Sequence, residues 1–300
     1  MRLGVDFGGT KIEAALLDSS GEIRARQRVP NPGDYQAAVR VVADLTARIE
    51  QETGVRAGTI GVAMPGSLSP LTGLVRNSNS VWLNGKPFFE DLQAVLARPV
   101  RVENDANCFA LSEAVDGAAA GARVVFGVIL GTGCGGGVVV DRKVIEGASG
   151  IGGEWGHTPL PWARPGEVQP RDWCGRVGCL EQWLSGTGFK RWAGMSASEA
   201  NEKALAGDPH ARVLLDLLAD KIARALAVVI DIIDPDAIVF GGGVSNIDSL
   251  YPSIRGKLIA HVFSDYIGAK ITKNKHGDSS GVRGAAWLFD ADGAASEQMA

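Results

Sequence analysis

Between Asp208 and Asp234 apolar side chains return every three or four positions, at Leu214, Leu218, Ile222, Leu226, Ile230 and Ile233. That period lays them along one stripe of an α-helix over 209–233, with Asp208 as N-cap and Pro209 at the first helical position. Asp216, Asp220, Lys221, Arg224 and Asp231 interrupt the same stretch, so it predicts a core helix and not a membrane span. Apolar runs predict strands at 2–6, 11–17, 22–28, 58–63, 100–103, 123–130 and 135–140, and helical spacing predicts helices over 35–53, 88–97 and 106–117. "GVRGAAWLFD", 281–290, reads as a last helix that returns to the first half. The order describes two α/β halves. One spans 1–118 with a C-terminal helix over 284–300, and the larger one spans 119–283.

Two strand-turn-strand stretches share a plan. "VDFGGTKIEAALLD" (5–18) and "VILGTGCGGGVVVD" (128–141) align without a gap, placing Gly8 on Gly131 and Asp18 on Asp141. Either these are two ordinary hairpins, or they are two anion-holding loops facing each other across a cleft. Glycines let the backbone approach a ligand, and their exposed N–H groups make a nest for phosphate. Thr10 and Thr132 add hydroxyls. Neither stretch is a P-loop or a G-x-G-x-x-G loop, since neither glycine run opens a helix. A third cluster, "DAIVFGGGVSN" (236–246), ends a strand at Gly241 and leads into a predicted helix. The crevice at a strand's carboxyl end is the usual ligand position in α/β sheets, so these glycines either face adenosine or only let a helix pack closely on the strand.

Composition narrows the classes without choosing among them. Apolar residues are 45% and charged residues 21% of 300, and the net charge is −4. Without a basic run, nucleic acid is not an expected partner. The opening "MRLGVDFGG" lacks a charged-then-apolar leader, which predicts a cytoplasmic protein. Four cysteines, at 108, 134, 174 and 179, then read as buried thiols or metal ligands.

Polar residues at strand ends carry the candidate chemistry. "RVENDANC" puts Asn104 and Asp105 where a strand becomes a helix, so Asp105 either caps that helix or serves as a general base. "GEWGH" offers Glu154 and His157. With Cys174 and Cys179 of "DWCGRVGCLE", His157 completes three quarters of a zinc site. Glu154, Glu181 and Asn104 are groups of the kind that fix sugar hydroxyls. Asn77, Asn79 and Asn84, beside Trp82, suit a polyol or simply form turns.

Taken in order, "DFGGTK", "MPGS", "NDANC", "GTGCGGG", "GEWGH", "CGRVGCLE", "DPDAIVFGGG" and "HGDSSGVRGAAW" resemble the ROK family (repressor, open reading frame, kinase) of bacterial sugar kinases. The resemblance covers nearly the whole chain. It implies an actin-like ATPase (ribonuclease H-like) fold, with ATP and Mg²⁺ in a cleft between two lobes, and a homodimer. It makes Asp105 the base that activates a sugar hydroxyl. Gly66, Asn79, Asn104, Glu154, His157 and Glu181 are then expected around the sugar. The nucleotide is expected on Gly4, Asp6, Gly8, Gly9, Thr10, Lys11, Gly131, Thr132, Gly133, Gly135, Gly136 and Gly137, with Gly242 and Gly243 at the adenosine and Asp6 orienting Mg²⁺ through water.

"NSNSVWLNGKPF" is similar to the matching loop of fructokinases that also take mannose, so the expected substrate is fructose, phosphorylated at O6. N-acetylglucosamine kinase and glucokinase are the alternatives. The family's repressors carry a DNA-binding domain ahead of the first strand, which this chain does not show, and a pure ATPase would not need Asn104, Glu154 and Glu181. The family's knuckle, C-x-C-G-x-x-G-C-x-E with a histidine, departs here at its first cysteine, which is Asp172. A His157, Asp172, Cys174, Cys179 set is the expected structural zinc site; the alternative is that zinc is lost and Trp173 with the glycine turns holds the loop unaided.

Overall fold

A computed structural model describes residues 1–167 and 170–289. In the first lobe β1 (Arg2–Phe7), β2 (Lys11–Leu17) and β3 (Ile23–Pro30) run antiparallel in succession. Helix α1 (Tyr35–Thr53) leads to β4 (Ile60–Met64), then a short ribbon of β5 (Ser67–Leu68) and β6 (Val75–Arg76). Helix α2 (Phe88–Leu96), β7 (Val100–Asn104) and α3 (Asp105–Val115) complete it. The second lobe opens with β8 (Val124–Leu130), β9 (Cys134–Val140) and β10 (Lys143–Val144). After a long irregular stretch come α4 (Glu181–Leu184), α5 (Gly186–Ala193), α6 (Ala197–Leu205) and α7 (Pro209–Ile233). Then follow β11 (Ala237–Gly241), α8 (Leu250–Leu258), β12 (Lys270–Lys273) and α9 (Ser280–Ala286).

The two sheets repeat one topology. Their orders are β3-β2-β1-β4-β7 and β10-β9-β8-β11-β12. In each, a hairpin is followed by two parallel additions on the same edge. The duplication read from the two glycine turns is therefore a duplication of whole sheets, and the architecture is the two-lobed actin-like ATPase fold. The ungapped alignment of the hairpins, however, slips after the turn. Phe7 pairs with Ile12 across residues 8–11, whereas Leu130 pairs with Cys134 across residues 131–133. With the shorter second turn, Ala14 opposite Val5 corresponds to Gly136 opposite Val128, so Asp18 no longer falls on Asp141.

Helix α7 begins as predicted: the Asp208 carboxylate accepts N–H groups of His210 and Ala211, and Pro209 opens the first turn. Leu214, Leu218, Ile222, Leu226 and Ile230 are buried in the second lobe's core with Phe126, Leu184 and Phe240. Of its interrupting charges Asp220, Lys221 and Arg224 are buried too, whereas Asp216 and Asp231 are exposed. Arg224 is completely enclosed and binds both carboxylate oxygens of Glu167 and, at 3.1 Å, Asp220. Lys221 reaches Glu167 at 3.0 Å. Glu167 belongs to the irregular stretch before α4, so these ions clasp that stretch to the helix.

The predicted last helix is α9; residues 290–300, part of the 284–300 assignment, lie outside the described residues. It packs on the first sheet so closely that only glycine fits beneath it. A Cβ at Gly4 would lie 2.1 Å from the Val282 carbonyl oxygen, and one at Gly61 would lie 1.8 Å from that of Ala285. Gly4 is therefore a packing residue in mid-strand, not part of a nucleotide loop. The helix expected after Gly241 is instead a 3-10 turn, Gly243–Asn246, closed by Ser245 N–H on the Gly242 carbonyl. Among the described residues no helix is long and apolar enough to cross a membrane.

Candidate active site between the two sheets

Strand β7 delivers Asn104 and Asp105 to the start of α3, and the two divide the work there. Asn104 is the N-cap: its side-chain oxygen accepts Ala106 N–H at 2.9 Å and Asn107 N–H at 3.4 Å. Its amide donates to the Gly66 carbonyl at 3.1 Å. Gly66 has φ +87, and a Cβ there would lie 2.6 Å from the Arg76 carbonyl oxygen. With the cap supplied by its neighbour, Asp105 stands in the first turn with an exposed carboxylate, which also accepts Ala106 N–H at 2.8 Å. Protein mass around it pushes its carboxyl up to about 6; the Ala106 N–H pulls it down and the Glu154 charge pushes it further up.

Other carboxylates share that field. Burial raises Asp6, at the end of β1, to about 7, with Asp105 and Glu13 adding to the rise and Lys11 opposing it. Burial also raises Glu154; His157 lowers it and Glu181 raises it. Asp105, Glu154, His157 and Glu181 thus meet in one electrostatic neighbourhood. Glu181 holds the second hairpin directly, its Oε2 accepting Cys134 N–H at 3.0 Å. Of the loop asparagines, Asn84 exchanges two hydrogen bonds with Ser78, and Asn77 holds a left-handed turn at φ +56. Both are turn formers, whereas Asn79 is exposed.

The glycine-rich hairpins separate into two kinds of position. Gly9 and Thr10 are exposed, with Lys11 partly so, and a Cβ at Gly131 would meet nothing within 4 Å. These positions keep an open backbone suited to phosphate. Gly135, Gly136 and Gly137 lie within β9, and their missing side chains make room for protein. A Cβ at Gly135 would lie 3.0 Å from Ala106 Cβ, at Gly136 2.6 Å from Trp155, and at Gly137 2.7 Å from the Ala106 carbonyl oxygen. Assigning those three to the nucleotide is replaced by helix and turn packing. Gly242, at φ +80, closes on the Leu130 carbonyl beside the hairpin, and Gly243 faces open space.

Three contacts escaped the sequence. Asn31 donates to the Gly8 carbonyl at 2.7 Å and so braces the first hairpin from β3's end. Gln182 donates to Asp172, and Trp173 to Glu181. None sits in a pattern that announces such a bond, because the partners meet only through tertiary folding.

One ligand atom each from His157, Asp172, Cys174 and Cys179 all lie within 4.8 Å of one another. His157 Nδ1 is 3.0 Å from Asp172, and the two sulfurs are 3.7 Å apart. Tetrahedral zinc at its usual bond lengths separates its ligands by about 3.3–3.8 Å. The nitrogen–oxygen and sulfur–sulfur spacings lie near that range, and the set as a whole, spread within 4.8 Å, fits zinc once its wider pairs close in.

N-acetyl-D-glucosamine kinase of Citrobacter koseri is 39% identical over 305 residues, covering 97% of this chain and all of that protein. Among solved structures, a ROK hexokinase from Thermus thermophilus has a TM-score of 0.84 at 32% identity, covering 95% of this chain and 96% of that one. A ROK family glucokinase from Streptomyces griseus, in complex with glucose and AMPPNP, has a TM-score of 0.78 at 28% identity over 96% and 98% of the chains. The sequence model of the ROK family matches residues 2–292. The chain belongs to the ROK family.

Proposed function

We propose that this protein is an ATP-dependent hexose kinase that acts on N-acetylglucosamine, with Asp105 as general base. The observation that carries it is the division of labour at the start of α3: Asn104 caps the helix, and the Asp105 carboxylate, held only by the Ala106 N–H of its own first turn, stays exposed at a strand end between two glycine hairpins. A capping aspartate would need no such relief. In the reaction Asp105 accepts the proton of a sugar hydroxyl as its oxygen bonds to the γ-phosphorus of ATP and the bond to the β-phosphate oxygen breaks, releasing ADP. Asn104, Glu154, His157 and Glu181 hold the sugar hydroxyls. Residues 8–11 and 131–133 carry the phosphates, and Gly242 and Gly243 lie at the adenosine. Mg²⁺, when bound, neutralises phosphate charge, and Asp6 is the carboxylate that would hold it through water.

Relatives close to 40% identical over their full length are named for N-acetylglucosamine, and that favours it over the fructose expected from the 77–88 loop. Two of that loop's three asparagines are turn formers, which removes much of the reason for reading it as a fructose contact. Zinc belongs to the proposal as a structural ion on His157, Asp172, Cys174 and Cys179, tying His157 to the loop that ends in Glu181. The homodimer is retained as well: Trp162 stacks on His261, and with Phe263 and Tyr266 these leave apolar surface that a second copy would cover. ADP release measured over N-acetylglucosamine, glucose, mannose and fructose, with NMR of the product, tests the substrate and the hydroxyl. Fastest turnover with fructose would return the substrate to the first expectation.

A further inference from the structure

Trp173 stands between two zinc-site positions, Asp172 and Cys174, yet 56% of it is exposed. Its indole N–H donates to Glu181 Oε1 at 2.7 Å. The other oxygen of that carboxylate takes the Cys134 N–H. One side chain thus spans from the metal-type loop to the second hairpin, and Trp173 fixes the loop end of that span. The His157 ring meets the indole edge-on, with centroids 5.2 Å apart and planes at 82°. Trp173 therefore touches two of the residues assigned to the sugar. It binds one by a charge-assisted hydrogen bond, which both strengthens the contact and fixes its direction. An indole with an apolar body and its polar edge already engaged offers its remaining face to a partner that is itself polar at the edges and apolar on its C–H faces, as a pyranose is.

We propose that Trp173 is a specificity-determining residue of the hexose site. Its N–H aims Glu181 at the sugar, and its ring forms a wall against which the sugar packs. This rests on the reading above that Glu181 and His157 face a hexose. The second hairpin binds the other oxygen of Glu181 by its own Cys134 N–H, a bond that does not need the indole, so Trp173 acts on the sugar and not on ATP.

Trp173→Phe keeps a ring and removes the donor; Trp173→Ala removes both. KM for N-acetylglucosamine, glucose and ATP is measured for each variant beside the wild type. The sugar KM rises about threefold in Trp173→Phe, where Glu181 loses its aim but the ring stays, and about tenfold in Trp173→Ala, where the sugar loses the ring as well. The ATP KM stays unmoved, and the ratio of kcat/KM between the two sugars shifts in Trp173→Ala. Sugar KM values within twofold of wild type in both variants would overturn the proposal, as would sugar and ATP KM rising together. If Trp173→Ala fails to fold, Trp173→Phe alone decides by the same criteria. A wild-type protein that turns over no hexose would sink the kinase reading, and this proposal with it.

Discussion

His157 Nδ1 lies 3.0 Å from one carboxylate oxygen of Asp172, whose other oxygen accepts the side-chain amide of Gln182. The aspartate that replaces a cysteine in the knuckle is therefore buried and oriented, as a metal ligand must be. Burial would raise its carboxyl, but bonds from Cys174 and Gln182 and the charge of His157 hold it below the usual range, so it is an anionic donor at neutral pH.

The protein purified with zinc in the medium is expected to hold about one equivalent, and Cys174→Ser to hold less than a tenth. Chelation should lower Tm, since binding energy at such a site is folding energy. Less than a tenth of an equivalent in the wild type would remove zinc from the account.

Asp105 sets the pH dependence. Its carboxyl is raised to about 6, chiefly by the protein mass that surrounds it on all but its open side, and a general base works only when ionised. kcat/KM, which reports the free enzyme, should therefore be low below that value, rise through it with increasing pH and level off above. Asp6, raised to about 7, would steepen and extend the limb if its carboxylate is needed for Mg²⁺. A profile flat from pH 5 to 8 would contradict the assignment.

The clasp between Glu167, Arg224 and Lys221 predicts a stability effect with a definite sign. Hydrogen bonds from Arg224, Arg164 and Lys221 outweigh burial and hold the Glu167 carboxyl down to about 2. The stability it contributes is therefore present above the ordinary carboxylate value near 4.5 and is lost as pH falls toward about 2. Glu167→Gln at neutral pH leaves buried cations short of a partner and should cost about 3–5 kcal/mol in urea unfolding. Glu167→Leu combined with Arg224→Met and Lys221→Met removes both buried cations with their partner and should recover most of that loss; a triple variant as unstable as the single would show that the ions matter in some other way.

Helix α9 crosses α3 at glycine. A Cβ at Gly284 would lie 1.7 Å from the Cys108 carbonyl oxygen, a backbone atom that no rotamer change can move aside. Gly284→Ala should therefore destabilise by about 1–3 kcal/mol. Gly256, inside α8 with nothing within 4 Å of its would-be Cβ, is the control: Gly256→Ala should be neutral or stabilise by about 0.5–1 kcal/mol. Equal Tm values for the two variants would contradict the packing argument.

What could be read from the sequence was whatever repeats locally. The α7 stripe, its Asp208-Pro209 start and both glycine hairpins depend on neighbours in the chain, and they appear where predicted. Glycine content alone could not say why a glycine was there. Gly4, Gly136 and Gly137 answer to α9, Trp155 and α3, which approach from far along the chain. The same holds for the Asn104 cap against the Asp105 carboxylate: both residue types cap helices, and only the fold shows which one does. The bonds that Trp173, Gln182 and Asn31 make lay out of reach for the same reason.

The most direct test of the central claim is ADP release by the wild type and by Asp105→Ala, measured side by side with ATP, Mg²⁺ and N-acetylglucosamine. Wild-type release should depend on the sugar, and Asp105→Ala should lose about 10²–10⁴ in kcat with ATP affinity retained. Equal turnover by the two proteins, or ADP release that ignores the sugar, would contradict it.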